Sequence, residues 1–502
     1  MMKRGDQGPR PLPNAKLDPA LVDLAVGEHR RRLPALDRFW AYYRNPTRPA
    51  AEPGQVGRSR LLAQADGLPE RLTKPGSQSP REVVIENDIA WRIHTMIDFL
   101  FGKPIKLVAE HGDEATRGAV DEALERVWDG SGGLDLLQDA ALFGHVFGHV
   151  DFLVRVDEAA LTRAASGPEA DRLERAADAV RIEIIEPRRG AALIDDADYR
   201  RLVGYAIDFE RVTNRVDRGG WSRWGERETS RAKGQMREVF GVSGWDRFED
   251  GQRVAGGRYR FLSGVPVVHV QNVSQPLRYE GLGEVEPLIP LQDELNTRLS
   301  DRANRVTLQS FQMYLARGFE GLDATQIGPG RVFVVDDPSA RIDAFGGDAP
   351  VPSEEQHVNE IRVAIDKVSG VPPIAAGSVE ARIGNLSSAS ALRVTMVGLL
   401  AKTDRKRATY GRGIRRVCEI VLEAFDAAGV LATTRRERRV GIEWGEPLPI
   451  DDRDQLALAR GKLDLGVPLE RVQEELGYVP RPGPVSGGGA HAPEEPTQEQ
   501  GE

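Results

Sequence analysis

Two long helical runs separated by a short β-prone stretch constrain this chain more than any other feature. The run LQDELNTRLSDRANRVTLQSFQMYLAR, residues 291–317, has no Gly or Pro until Gly318. It predicts one helix of about 27 residues, about 40 Å long at 1.5 Å per residue. The run PSEEQHVNEIRVAIDKVSG, residues 352–370, predicts a second helix with Ser353 as N-cap and acids in its first turn. Between them the best strand is RVFVVDD, 331–337. A loop rich in Gly, Pro and small residues, 371–388, comes next, and then a third long helical pattern from about Ser388 to Ala428. Helices of this length are not the ordinary three-turn elements of a compact domain.

The rest of the chain reads as an α+β body around those helices. Residues 1–17 are rich in Pro, Gly and charge and read as disordered. Asp18 is an N-cap candidate with Pro19 at the first helical position, and Pro34 divides the run after it into two short helices. Residues 46–80 read as a linker or extended arm within an N-terminal segment 1–80. Ile85, Ile89, Ile93, Met96, Ile97 and Leu100 recur at helical spacing, and Gly102 and Pro104 end that helix. A second helix at about 134–144 runs into GHVDFLVRV, where Val150, Phe152, Val154 and Val156 alternate as in a half-buried strand. VRIEII, LVGYAIDF, MREVFGV and VPVVHV add further strands, so about 82–275 is a mixed α+β domain. RVGIEW is a strand after the third long helix, DDRDQLALARGKLDLG and PLERVQEELG are terminal helices, and 480–502 is an acidic low-complexity tail. The polar segment RGGWSRWGERETSRAKGQ, 218–235, has no evident role.

The chemistry that would mark an enzyme is not legible. There is no G-x-x-x-x-G-K-[ST] in the 502 residues, so the chain is not an ATP-driven motor of the P-loop kind. GLGEVE lacks the third glycine of a dinucleotide fingerprint and reads as a turn. His145 and His149 have i, i+4 spacing but no glutamate at 146, and Gly144 and Gly148 break the shared face; they read as structural. Asp336–Asp337 reads as a turn and Asp451–Asp452 as a helix N-terminus rather than as metal ligands. Cys418, the one cysteine, reads as a packed thiol, and the sequons at Asn272 and Asn385 carry no weight without a secretory signal. No cofactor or metal is called for. No apolar run reaches a membrane span, which predicts a chain with no membrane partner.

Basic residues are unevenly placed in a chain of net charge −9. Arg298, Arg302 and Arg305 share a face of the first long helix, with Glu294 and Asp301 four residues before an arginine; this reads as a salt-bridged surface or as a ladder meeting phosphate or a neighbouring subunit. Within the third long helix, residues 391–417 hold Arg393, Lys402, Arg405, Lys406, Arg407, Arg412, Arg415 and Arg416 against one acid, Asp404, and RRERR lies beyond at 435–439. That imbalance reads as too one-sided for internal pairing. It calls for acids on another copy of the chain, or for DNA phosphate.

Five segments in order carry a resemblance to a known family: IDFLFGKPIKL (97–107), EIIEPRRGAALIDD (183–196), VPVVHVQN (265–272), GLGEVEPLIPLQDELNTRLSDRAN (281–304) and VSGVPPIAAGSVEARIGNLSSASALRVTMVGLL (368–400). Over about 80–475 the chain resembles the portal proteins of tailed bacteriophages, in particular those of long-tailed phages. The resemblance implies a ring, usually of twelve copies, around a channel for double-stranded DNA at one capsid vertex, in the virion and, during assembly, in the host cytoplasm. It implies a wing at 81–280, stem helices at 281–317 and 351–370, and a clip at 318–350. A tunnel loop at 371–388, a long helix and returning strand at 389–450 and a helical crown at 451–479 complete it. It also implies docking of the terminase large subunit and then of head-completion or adaptor proteins on the clip, where Phe319, Asp323, Arg331, Asp336 and Asp337 are candidates, and contact with scaffolding and major capsid proteins. In the tunnel loop the candidates for facing DNA are Gly377, Ser378, Glu380, Arg382, Gly384 and Asn385, and Lys402, Arg405, Lys406, Arg407, Arg412, Arg415 and Arg416 would join subunits. The readings from other classes are a metal-dependent nuclease and a capsid adaptor without a channel.

Overall fold

The computed structural model describes residues 17–47, 62–73, 82–216, 229–310, 313–317, 339, 341–345, 352–376, 393–448 and 452–476. In chain order the elements are α1 (Pro19–Arg44), α2 (Glu70–Thr73), α3 (Asp88–Phe101), β1 (Lys106–Ala109), α4 (Glu114–Gly130), α5 (Gly133–Phe147), β2 (His149–Val156), α6 (Glu158–Ser166), α7 (Arg172–Asp178), β3 (Val180–Ile185) and β4 (Gly190–Ile194). The long strands β5 (Leu202–Val216) and β6 (Thr229–Gly241) precede β7 (Gly244–Glu249), β8 (Gln252–Arg258) and β9 (Val267–Gln271). Then come α8 (Ile289–Ser310), β10 (Met313–Arg317), β11 (Arg341–Phe345), α9 (Pro352–Ser369), α10 (Val397–Ala428) and β12 (Val440–Glu443). The chain divides into a large unit, Met1–Gly384 with Leu392–Pro447, and a small one, Asn385–Ala391 with Leu448–Glu502. The described helices of the small unit are α11 (Asp452–Asp464) and α12 (Leu469–Glu475).

The core of the large unit forms where α10 lies across a three-stranded antiparallel sheet, order β3-β2-β9. Tyr410, Ile414, Val417, Cys418, Val421 and Phe425 form the buried stripe of α10 at helical spacing. Each such side chain contributes about 1.5–3 kcal/mol on burial. The approach is close: a Cβ on Gly413 would fall 2.2 Å from Val270 Cγ2. Helices α3, α4 and α5 complete the core with Ile89, Ile93, Leu124 and Val146. Gly148, at φ +92°, ends α5 and turns the chain directly into β2. The second sheet, order β4-β5-β6-β7-β8, is antiparallel and carries α1 on one face through Val22 and Val26 over Ala191, Leu193, Ala206 and Val239. Strand β1 pairs with β12, returning the chain after α10 to the end of α3.

Several sequence expectations hold: Asp18 caps α1 by accepting from Ala20 N, α3 ends at Gly102, and Cys418 is a packed thiol that Trp128 Nε1 approaches at 3.4 Å. Others are corrected. Helix α1 runs unbroken through Pro34, because Pro34 and Arg30, whose carbonyl loses its donor, both face water while each half of the helix is held by its own packing. The first long helix ends at Ser310 and not at Gly318; Met313–Arg317 is instead strand β10, paired antiparallel with β11, a tertiary pairing that overrides a helical spacing of apolar residues equally suited to a strand. Ser353 lies inside α9, which begins at Pro352. Helices α2, α4, α6 and α7 and strands β1, β4, β7, β8 and β11 are additions to the sequence expectation. RVFVVDD and residues 388–392 lie outside the described residues.

Candidate functional site

Helices α8 and α9 run antiparallel. Arg305, near the end of α8, pairs with Glu354 at the start of α9, while the turn before α8 meets the C-terminal end of α9. The β10–β11 ribbon lies in the connection between them. One face of α8 carries no apolar seam but a polar ladder, Gln292, Asn296, Ser300 and Asn304, four residues apart. These side chains grip the backbone of an extended strap, residues 82–86. Asn304 Oδ1 accepts from Glu82 N (2.9 Å) and its Nδ2 donates to Glu82 O (2.8 Å). Ser300 Oγ accepts from Val84 N (3.0 Å), Asn296 Oδ1 from Glu86 N (3.0 Å), and Gln292 Nε2 donates to Glu86 O (2.5 Å). The periods match: two extended residues advance about 6.6 Å and four helical residues about 6 Å. Asn296 Nδ2 also donates to buried Gln64, which in turn donates to Tyr42 O, so the ladder reaches the end of α1.

Helix α9 is fastened to the body by charge. Arg92 of α3, buried, reaches Asp366 (2.7 Å) and Asp88 (3.5 Å), and Arg362 pairs with Glu86 of the strap (2.7 Å). The tightest junction lies where the start of α8, the end of α9 and α10 converge. Glu284, 4% exposed, holds Lys402 Nζ at 2.5 Å and Lys406 Nζ at 2.7 Å. Lys402 also donates to Ser369 O at the end of α9 (2.7 Å), and Lys406, 1% exposed, lies 3.3 Å from Met96 Sδ of α3. Burial alone would raise the Glu284 pKa, but the two ammoniums hold it down at about 2. Burial lowers Lys406 to about 8 against the pull of the carboxylate, and lowers His145, on the same junction, to about 3. The neutral His145 ring bonds Ala141 O through Nδ1 (2.6 Å).

A second buried polar cluster lies between the two sheets. Asp151 of β2, 1% exposed, accepts from Tyr205 (2.7 Å) and Tyr279 (2.8 Å) and bonds His269 Nδ1 (2.7 Å). His269 Nε2 faces Tyr279 O at 2.6 Å, so both ring nitrogens meet acceptors. Burial would raise the Asp151 pKa, and His269 brings it down to about 2. Burial lowers that of neighbouring His149 to about 4. Among the described residues no group of three or more His, Cys, Asp or Glu is placed to hold a metal.

The chain matches the family described as phage portal protein, SPP1 Gp6-like, over residues 28–476. It belongs to that family: it is a phage portal protein. Among solved structures, a chain of the virion of the native gene transfer agent (GTA) particle is similar at 13% identity and a TM-score of 0.40, covering 88% of this chain and 99% of that one. No curated protein matches. Family membership makes this a structural component of a virion capsid, assembled as an oligomeric ring. Among its described residues no helix is long and apolar enough to cross a membrane.

The portal's described residues place some of the candidates and correct others. Arg298 pairs with Glu294 (2.7 Å) and Asp301 (3.7 Å), and Arg305 with Glu354, as a salt-bridged surface requires; Arg302 is exposed. The basic helix is not too one-sided for internal pairing. Lys402 and Lys406 turn inward to Glu284, a partner that local counting of acids could not reach because it lies more than a hundred residues earlier. Arg407 donates to Gly445 O (2.6 Å) and lies over Trp444, Arg416 pairs with Glu419 (2.8 Å), Arg393 with Glu446 (3.1 Å), and Arg438 with Asp426 (2.6 Å). Arg405, Arg412 and Arg415 remain exposed on one side of α10. Gly377, Ser378, Glu380, Arg382, Gly384 and Asn385, and Phe319, Asp323, Arg331, Asp336 and Asp337, lie outside the described residues. The polar ladder of α8 and the Glu284 junction escaped sequence reasoning. The i, i+4 recurrence of amide and hydroxyl side chains was the available signal for the first; the second had none.

Proposed function

We propose that twelve copies of this portal surround a channel through which double-stranded DNA is packaged and later ejected, with α8 and α9 as the stem. The observation that carries this reading is the antiparallel helix pair, fastened at one end to the α+β body and continued at the other into the β10–β11 ribbon. On this reading residues 81–280 form the wing, 318–350 the clip that receives first the terminase large subunit and then head-completion or adaptor proteins, and 451–479 the crown. The loop 371–388 faces the DNA, with Arg382 and Asn385 making few, backbone-directed contacts that ignore sequence. The exposed Arg405, Arg412 and Arg415 meet acids of the adjacent copy. The subunit acts as a conduit and has no catalytic role. Scaffolding and major capsid proteins surround the ring.

The Glu284 junction supports the mechanical part of this reading. It ties the root of both stem helices to α10, the helix that comes after the loop, so displacement of the loop is transmitted to a buried ion cluster rather than to a free hinge. Deleting residues 377–385 should leave rings of normal mass that fail to fill capsids with DNA. Loss of ring assembly, or undiminished packaging, would contradict the assignment of that loop.

A further inference from the structure

Among the described non-glycine residues, φ is positive at Asn45, Asp250 and Leu277. Asn and Asp tolerate that region, whereas a bulky apolar residue there is a departure that needs a cause. Leu277, at φ +60°, follows Pro276 in a turn, at the position that turns with positive φ usually give to glycine. It is also 82% exposed, between exposed Pro276 and Arg278. Neither burial nor local turn preference accounts for a leucine at this point.

The turn is held from within. Gln271 reaches across it: Nε2 donates to Arg278 O (2.8 Å) and Tyr279 O (3.0 Å), and Oε1 accepts from Gln275 N (3.0 Å). His269 Nε2 faces Tyr279 O (2.6 Å), the two rings stack with centroids 3.7 Å apart, and Tyr279 donates to Asp151. Glu280 pairs with Arg32 of α1, and Leu282 N donates to Val273 O (2.9 Å) at the base. The buried Asp151 cluster therefore fixes the turn that presents Leu277, and a side chain presented in this way loses little conformational freedom on contact. The base of the turn lies against α10, where Thr409 Oγ1 donates to Asn272 O (3.4 Å). Arg405 and Arg412, four residues before Thr409 and three after it, share its side of the helix. Arg278, Arg405 and Arg412 are exposed, and none is ion-paired among the described residues. An exposed apolar side chain beside guanidiniums has the composition of a protein–protein contact. Unpaired cations on a chain of net charge −9 favour an acidic partner, and the acidic partner that every subunit of a ring meets is the next copy.

We infer that Leu277 is an apolar anchor of the contact between adjacent copies, set into the neighbour with Arg278, Arg405 and Arg412 around it. This deepens the role proposed for Arg405 and Arg412 and rests on the ring reading.

The test places a benzophenone side chain at position 277 of the full chain and mixes that chain with isotopically heavy parent chain in particles assembled with scaffold and capsid proteins. Irradiation should join residue 277 of a light chain to a peptide of a heavy one. Rings that form without this product, or that give cross-links only within one chain, to DNA or to capsid protein, overturn the inference. Parent chain that forms no ring removes the ring reading itself, and the inference with it. Leu277→Gly is the second probe, because it relieves the backbone while deleting the side chain. The subunit should melt as the parent does, and the concentration needed for half-assembly should rise about tenfold or more. L277G rings as tight as the parent's, with or without a lower subunit melting temperature, would refute the anchor.

Discussion

Replacing Glu284 by Gln keeps the shape of the junction and removes the carboxylate shared by the buried ammonium of Lys406 and the half-buried one of Lys402. Among the described residues Lys406 is left with Met96 Sδ and no anion, and Lys402 keeps Ser369 O. Breaking a buried ion pair from one side costs about 3–5 kcal/mol, since an uncompensated charge remains. Lys406→Met is the informative contrast. It keeps the aliphatic stem and leaves Glu284 paired with Lys402, so the cost should be about 1 kcal/mol or less. Combined, E284Q and K406M should cost less than the sum of the two, because the second change removes the charge that the first strands. Urea unfolding of the full chain at pH 7, with hydrogen exchange read across α10, measures all three. E284Q within about 0.5 kcal/mol of the parent, or K406M as harmful as E284Q, would refute the claim that the carboxylate holds the junction together.

The same cluster gives a pH signature. Glu284 is depressed to about 2, so its contribution is present above the ordinary carboxylate range and is lost as pH falls from about 4.5 toward 2. Lys406 is lowered to about 8, so between about 8 and 10.5 the unfolded chain binds the extra proton and stability rises with pH; stability curves over that interval should flatten in K406M and stay steep in the parent. Asn296→Ala should cost about 1–3 kcal/mol by stranding Glu86 N and buried Gln64, and should speed hydrogen exchange at the amide of residue 86; unchanged exchange there would count against the ladder. Glu at 405, 412 and 415 together should weaken the ring in a salt-dependent way without unfolding the subunit, as sedimentation at two ionic strengths would register. An assembly indifferent to those three changes would remove that face from the interface.

Long periodic elements were legible because their pattern is local. Ile89, Ile93 and Leu100 mark α3 without any tertiary knowledge, and the two long runs mark α8 and α9. Boundaries set by partners were not. Met313–Arg317 reads as helix until Arg341–Phe345 is found beside it, and Pro34 reads as a break until both halves of α1 are seen packed. The β7–β8 hairpin did leave a signal, since Asp250–Gly251 is the Asp-Gly pair whose two positive φ angles, 50° and 80°, suit a tight hairpin. The charges were the hardest to read. The stretch 391–417, with eight cations and one acid, looks unpaired along its own sequence, and only the fold brings Glu284 to Lys402 and Lys406. Arg298 and Arg305, whose acids lie nearby on α8 or on its neighbour α9, were closer to a correct reading.

Native mass with images of single particles tests the central claim most directly. Light scattering of the purified chain, paired with negative-stain views, should find a ring with a central hole and, for twelve copies of a 55.2 kDa subunit, a mass of about 662 kDa. The sharper form of the measurement is made on particles assembled with scaffold and capsid proteins, where the ring should occupy one vertex. A subunit that stays monomeric there, or an oligomer with no central opening, would contradict the account.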